Sequence, residues 1–221
     1  MKVNLWTRLL WGASQLLYSH LAWSYDLAAW LVSNGQWRVW QRVGLADVPA
    51  GRVLEMAFGP GHLLKERAAT GFPMLGIDRS PQMVRKASRR LRKAGYPLRL
   101  TRGDVRRMPF APGQFEAILS TFPAEFIADP AVHAEARRVL RDGAPWIIIL
   151  SARITGRQGL DRILAGLDRQ ISLQDDPLPG FSARLRQAGF QVEGGWVTLP
   201  RSDVMRIVAR RAPAARREGS R

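Results

Sequence analysis

Val53-Leu54-Glu55-Met56-Ala57-Phe58-Gly59-Pro60-Gly61 is the stretch on which the fold turns. A short apolar run carries one acid, then stops in a turn bearing glycines, and a helical pattern opens near Leu63. Glycine has no Cβ, so backbone at such a turn can come close to a ligand. In open α/β sheets the ligand lies beyond the carboxyl ends of the strands, which is where this turn falls.

Working outward, strand and helix patterns alternate. Strands are expected at Val53–Ala57, Met74–Ile77, Leu98–Thr101, Phe115–Ser120 and the β-branched Trp146–Leu150. Helices are expected at Leu63–Ala69, from about Ser80 to Ala94, at Ala131–Leu140 and at Phe181–Ala188. Gln191–Leu199 and Val204–Arg210 read as two antiparallel strands joined near Pro200. The alternation predicts a mostly parallel sheet with helices on both faces. Between Ala152 and Asp176 the spacing of Leu160, Ile163, Leu164, Leu167 and Ile171 predicts an inserted helix or lid. Upstream, Trp6, Leu9, Leu10, Ala13, Leu16, Leu17 and Leu21 form one apolar helical face, and Asn34-Gly35 marks a break. The expected organisation is a helical cover over residues 1–46, the α/β domain over 47–211, and a small, charged, disordered tail over 212–221.

Two ligand classes suit a glycine turn after the first strand. A dinucleotide site needs Gly-x-Gly-x-x-Gly and rests a pyrophosphate on the helix N-terminus. Counted from Gly59, Gly61 fits and Leu64 does not. A carboxylate at Glu55 is better matched to a cation, such as the ammonium and sulfonium of S-adenosylmethionine (SAM), than to a pyrophosphate. The second signal is Gly76-Ile77-Asp78-Arg79-Ser80. An acid about 20 residues beyond the glycine turn can accept from both ribose hydroxyls. The alternative role for Asp78 is a helix cap, but Ser80 can serve there instead. The third is Arg102-Gly103-Asp104-Val105 with Met108-Pro109-Phe110, where an acid can accept from an adenine amino group and Val105 can offer a backbone donor.

Together, Val-Leu-Glu-x-x-x-Gly-x-Gly, Gly-Ile-Asp-x-Ser-x-x-Met, Gly-Asp-x-x-x-x-Pro-Phe and Arg-Arg-Val-Leu-Arg-Asp-Gly resemble the class I SAM-dependent methyltransferases. Within these the chain is most similar to the ubiquinone/menaquinone-biosynthesis type. The match runs over about residues 50–151. It implies a Rossmann-like sheet of seven strands with the last antiparallel, and SAM as cofactor. Carried onto this chain, it implies cofactor contacts from Glu55, Ala57, Gly59, Gly61, Asp78, Arg79, Met83, Asp104, Val105 and Thr121. Tyr25-Asp26-Leu27 and Val32-Ser33-Asn34-Gly35, with Arg38 and Arg42, resemble the N-terminus of the quinone enzymes, which implies a pocket role for Tyr25; the alternative is packing with its hydroxyl satisfied. Ala57 departs from the pattern, which has glycine there.

The acceptor side is less legible. Ser120-Thr121-Phe122-Pro123 lacks the Asn/Asp-Pro-Pro-aromatic motif of amino-methylating nucleic-acid enzymes, so nucleic acid is disfavoured as substrate. Thr121 and Phe122 are expected to line the pocket. No catalytic residue is assigned: Glu125 and Asp129 are read as loop charges before bases, and His20 as a weaker candidate. His20, His62 and His133 are too scattered for a metal site. The apolar N-terminal face and the 160–171 helix point to a hydrophobic acceptor, a quinone precursor or lipid-like molecule methylated on carbon or oxygen. RNA or protein methylation, and SAM binding without turnover, are the alternatives.

Composition sets the outer bounds. The chain has 221 residues, 46% apolar and 24% charged, and no cysteine, which excludes disulfides and thiolate chemistry. Its net charge is +16, and of 34 basic residues only Lys2, Lys65, Lys86 and Lys93 are lysine. Such an arginine bias reads equally as the mark of a GC-rich genome or as attraction to something anionic, lipid headgroups or nucleic acid, and on the second reading an anionic membrane surface is a candidate contact. The helix at 80–94 is read first as a solvated basic face. No apolar run reaches the length of a membrane span, and no export leader is recognised. The expected place is cytoplasmic, with peripheral contact at the inner membrane face. Oligomeric state is not legible.

Overall fold

The structure, a computed structural model, describes residues 30, 33–156, 161 and 178–212. Of the expected inserted helix at 160–171 residue 161 alone is described and of the tail residue 212 alone, and the N-terminal apolar face from Trp6 to Leu21 lies outside the described residues. The chain divides into two units, Met1–Arg38 and Val39–Arg221. In the first unit, the expected break at Asn34-Gly35 is a turn with both residues left-handed (φ 47° and 78°). Ser33 Oγ then accepts from Trp37 N at 3.0 Å.

The second unit is built on a seven-stranded sheet of order β3-β2-β1-β4-β5-β7-β6. Its strands are β1 (Val53–Met56), β2 (Leu75–Asp78), β3 (Leu100–Arg102), β4 (Ala117–Thr121), β5 (Pro145–Ile154), β6 (Phe190–Leu199) and β7 (Ser202–Arg211). β1 to β5 pair in parallel, and β7 runs antiparallel to both β5 and β6. Among the described residues five α-helices accompany them: α1 (Trp37–Val43), α2 (His62–Ala69), α3 (Pro81–Lys93), α4 (Pro130–Val139) and α5 (Leu178–Gln187).

Each sheet face is sealed by its own cluster. On one, Leu54, Met56, Ile118, Trp146, Ile148 and Ile207 meet Val132, Ala136 and Val139 of α4 and Phe181 and Leu185 of α5. On the other, Val53, Ala117, Leu119 and Ile147 meet Leu63 and Leu64 of α2 and Ala87 and Leu91 of α3. All four β1 residues are buried, as expected for a parallel strand covered on both sides, which shows no alternation in its sequence.

All seven strands are found, most with ends one or two residues from expectation and β5 four residues longer at its far end. Leu98 is 39% exposed and lies before β3, because β2 starts at Leu75 and its ladder with β3 opens only at Gly76↔Leu100. β5 runs on to Ile154, since β7 follows it past a register shift between Ile149 and Ser151.

The helices start where their caps dictate. Ser80 Oγ accepts from Met83 N at 3.3 Å at the head of α3, with Pro81 in the first turn. Asp129 Oδ1 accepts from Ala131 N at 2.9 Å at the head of α4. Both are ordinary N-cap arrangements, worth about 1 kcal/mol each.

Candidate functional site

The strand order reverses between β1 and β4: the chain moves outward from β1 through β2 to β3, then returns to lay β4 on the other side of β1. Such a switch point opens a crevice at the carboxyl ends of the two strands. Here both strands leave the sheet through a left-handed non-glycine residue, Ala57 (φ 55°) after β1 and Phe122 (φ 47°) after β4. Each keeps one last ladder bond to its outer neighbour. Ala57 N donates to Ile77 O and Phe122 N to Ile149 O, both at 2.8 Å. The two strands are thereby drawn apart at their tips.

The loop after β1 is shaped by its glycines and by Phe58. An added Cβ at Gly59 (φ 54°) would meet nothing within 4 Å, so this point opens onto free space. Gly61 (φ 75°) is fixed by the opposite condition. Its Cβ would stand 2.6 Å from Ala87 Cβ on α3, so only glycine lets α2 start there. Phe58 turns inward, is 4% exposed, and occupies the space a side chain at Gly76 would need. Phe58 thus anchors the loop to β2, a role that a lone aromatic between two small residues does not announce.

Two acids meet at this loop. Asp78, the last residue of β2, accepts from Gly59 N through Oδ2 at 2.9 Å and from Ser80 N through Oδ1 at 2.8 Å. Ser80 therefore caps α3 as expected, but it also engages Asp78, which is not left uncommitted. Burial pushes the Asp78 carboxyl up from its ordinary value, against the pull of those two N–H groups and of Arg79. Glu55 is 2% exposed, and its Oε2 is buried with no hydrogen-bond partner. Burial first, then the charges of Asp78 and Glu66, hold the Glu55 carboxyl well above the usual carboxylate range. A buried carboxylate that keeps an unpaired oxygen is costly unless a donor arrives. The Gly59 N–H is already spent on Asp78, and the nearby acids oppose an anion. The loop is therefore unsuited to a pyrophosphate and suited to a ligand that brings hydroxyl and ammonium donors.

The remaining expected residues fall as follows. Arg79 is exposed and Met83 is buried in the first turn of α3. Asp104 follows β3, half-buried, and Oδ1 accepts from Arg106 N at 2.9 Å; Val105 beside it is buried in the core. Thr121 closes β4 and is half-buried. Tyr25 and His20 lie outside the described residues. His133 is buried with Nε2 2.7 Å from Ile127 O, and His62 opens α2. Among the described residues no group of three or more His, Asp or Glu stands ready for a metal.

The two loop acids have structural or solvent roles. Asp129 caps α4 and accepts from Arg106 Nε at 2.6 Å. That guanidinium, with the Ala131 N–H, lowers the Asp129 carboxyl below its ordinary value. Glu125 is exposed at the start of a short 3-10 helix, Glu125–Ala128.

Sequence reading passed over Gln41. It sits on α1 and donates from Nε2 to Thr121 Oγ1 at 3.3 Å. Beside it, Trp40 donates from Nε1 to Ser202 Oγ at 2.7 Å and packs against Phe122 with ring centroids 6.1 Å apart. The only signal in the sequence was a polar residue next to a tryptophan, which specifies nothing by itself.

A family model described as a methyltransferase domain matches residues 53–143. The chain is similar to the demethylmenaquinone methyltransferase of Deinococcus radiodurans, at 27% identity over 84% of this chain and 91% of that protein. It is 33% identical to that of Thermus thermophilus over 60% of this chain and 63% of that protein, just under two thirds of its length. Among solved structures, phosphoethanolamine N-methyltransferase 2 of Haemonchus contortus superposes with a TM-score of 0.61 at 16% identity, over 90% of this chain and 60% of that one. At that identity the likeness is one of fold.

Proposed function

We propose that the chain is a class I SAM-dependent methyltransferase that methylates a hydrophobic small molecule, a quinone precursor or lipid-like acceptor, on carbon or oxygen. The observation that carries the reading is the pair of buried acids at the β1–β2 tips, one with an unpaired oxygen, beside a glycine whose Cβ position is open.

These residues fit the cofactor. Glu55 would take the methionine ammonium. Asp78, fixed by Gly59 and Ser80, would accept from the ribose hydroxyls, and Asp104 with the Val105 N–H would meet the adenine. Gly59 leaves room for the nucleoside, and Ala57, Gly61, Arg79, Met83 and Thr121 complete the expected cofactor set among the described residues. When bound, SAM supplies an electrophilic methyl on a sulfonium, open to in-line displacement.

The chain's own part in the reaction is to align and desolvate the acceptor. Thr121, Phe122 and Trp40 sit at the β4 side of the crevice, where an apolar ring or chain would be held against the donor. Asp129 is tied to Arg106 and to its cap, so it makes a poor base. The acceptor then has to bring an already reactive carbon or oxygen. The relatives named as demethylmenaquinone methyltransferases support a quinone-like choice.

The test is to purify the protein without added ligand, identify co-purified SAM or its demethylated product by mass spectrometry, and assay methyl transfer to reduced naphthoquinones and to phenolic and phospholipid acceptors. Turnover on a quinol supports the reading. Turnover only on RNA or protein rejects the acceptor class. Tight SAM binding without turnover on any of these favours a binding protein that does no chemistry.

A further inference from the structure

We infer that Gln41, which is outside the expected cofactor set, shares with Glu55 the binding of the donor's ammonium group. The inference rests on the reading of the chain as a SAM-binding enzyme and extends it to a residue that no motif predicts.

Gln41 Oε1 is buried without a hydrogen-bond partner, while Nε2 of the same amide is held by Thr121 Oγ1 at 3.3 Å. Glu55 Oε2 is a second buried acceptor without a hydrogen-bond partner among the described residues of this crevice. The register places the two together. Glu55 pairs with Leu119 across β1 and β4, and Thr121 lies two residues further toward the β4 tip. A spacing of two keeps Glu55 and Thr121 on one sheet face, about 7 Å apart along the strands. Gln41 meets that face at Thr121. The next residue, Arg42, ties the same helix to α2 through Glu66, at 2.7 and 3.2 Å. Gln41 is thus held by its bond to β4 and by its neighbour's bond to α2.

The chemistry of the pair selects the ligand group. Two unpaired acceptors require a group with several donors, and an ammonium has three N–H bonds. Its charge also suits the carboxylate of Glu55, which burial, Asp78 and Glu66 all press toward the protonated form. A third acid at position 41 would press it further. A neutral amide adds an acceptor with no added negative charge.

The experiment uses the full chain and three variants: Gln41→Leu and Gln41→Met, which keep bulk and remove the amide, and Asp78→Ala as an independent site variant. Affinity is measured by calorimetry for S-adenosylhomocysteine and for its analogue with the amino group replaced by hydrogen. The expected result is that Q41L and Q41M bind S-adenosylhomocysteine about tenfold more weakly, about 1.4 kcal/mol, yet bind the deaminated analogue as the wild type does. Asp78→Ala should weaken both ligands alike, since it acts on the ribose. If the Gln41 variants weaken both ligands equally, or neither, the inference is overturned. Comparing the two variants guards against a packing effect peculiar to one side chain. Absence of any S-adenosylhomocysteine binding to the wild type would defeat the cofactor reading itself, an outcome distinct from a silent Gln41 variant.

Discussion

Ala57 and Phe122 hold left-handed backbones that L-residues reach at a cost of about 1–2 kcal/mol each. At Ala57 the family pattern has glycine, so Ala57→Gly should relieve that cost. Part of the gain returns as the greater freedom of glycine in the unfolded chain. A net stabilisation of up to about 1 kcal/mol is expected, read as a rise in urea midpoint, with SAM affinity equal or tighter. A fall in midpoint would mean that the alanine methyl packs usefully. Glu55 gives the opposite pattern, stability against function. Its folded pKa is raised, so the folded protein holds this proton more firmly than the unfolded chain does. Stability from this group is full below the ordinary glutamate range and is lost as pH rises toward the raised folded value. Glu55→Gln cannot ionise and escapes that loss. Its melting temperature should exceed the wild type's at pH 8, with the gap closing toward pH 4, while its SAM affinity falls. In the wild type, acidification should weaken SAM binding, because a proton competes with the ammonium for Glu55. Asp78 and Glu66 face the same carboxylate, and Glu66 is in turn paired with Arg42. An affinity that does not change with pH would remove Glu55 from the ligand's ammonium.

At the scale of elements, the tightest joint is Gly61, where α2 begins against Ala87 of α3. Gly61→Ala combines a left-handed alanine with a Cβ clash and should cost about 2–4 kcal/mol, measured by urea unfolding. A loss below 1 kcal/mol would show that α2 and α3 can slide apart. The same joint shows what a sequence reveals. β1, β2 and the start of α3 were legible because an apolar run, an acid and a Ser-Pro cap are local signals. The start of β3 and the far half of β5 were not, because a partner strand decides how long a strand runs. Glu55 and Asp78 were legible as candidates by their place after apolar runs. Phe58 and Gln41 were not, since what defines them is contact with residues 18 and 80 positions away, Gly76 and Thr121.

For the whole molecule, charge is the dominant fact. The net +16 is carried in part by α3, whose Arg85, Lys86, Arg89, Arg90, Arg92 and Lys93 stand without an acid on the same helix. No helix among the described residues is long and apolar enough to cross a membrane. We propose instead a peripheral contact with anionic lipid. The protein should pellet with anionic vesicles at low salt and be released as salt screens the charges, and removing residues 1–22 should weaken pelleting. Equal pelleting with neutral vesicles would reject the electrostatic contact. The sheet order carries a separate consequence for synthesis. β7 is inserted between β5 and β6, so until β7 has left the ribosome β6 has no partner strand and β5 is paired on one edge alone, with β4. Throughout that interval a nascent chain exposes the isoleucine-rich border of β5, an adhesive edge in a half-made sheet. A stop codon placed after Leu199 should therefore yield aggregated polypeptide, even though every residue of the nucleoside crevice would already have been translated.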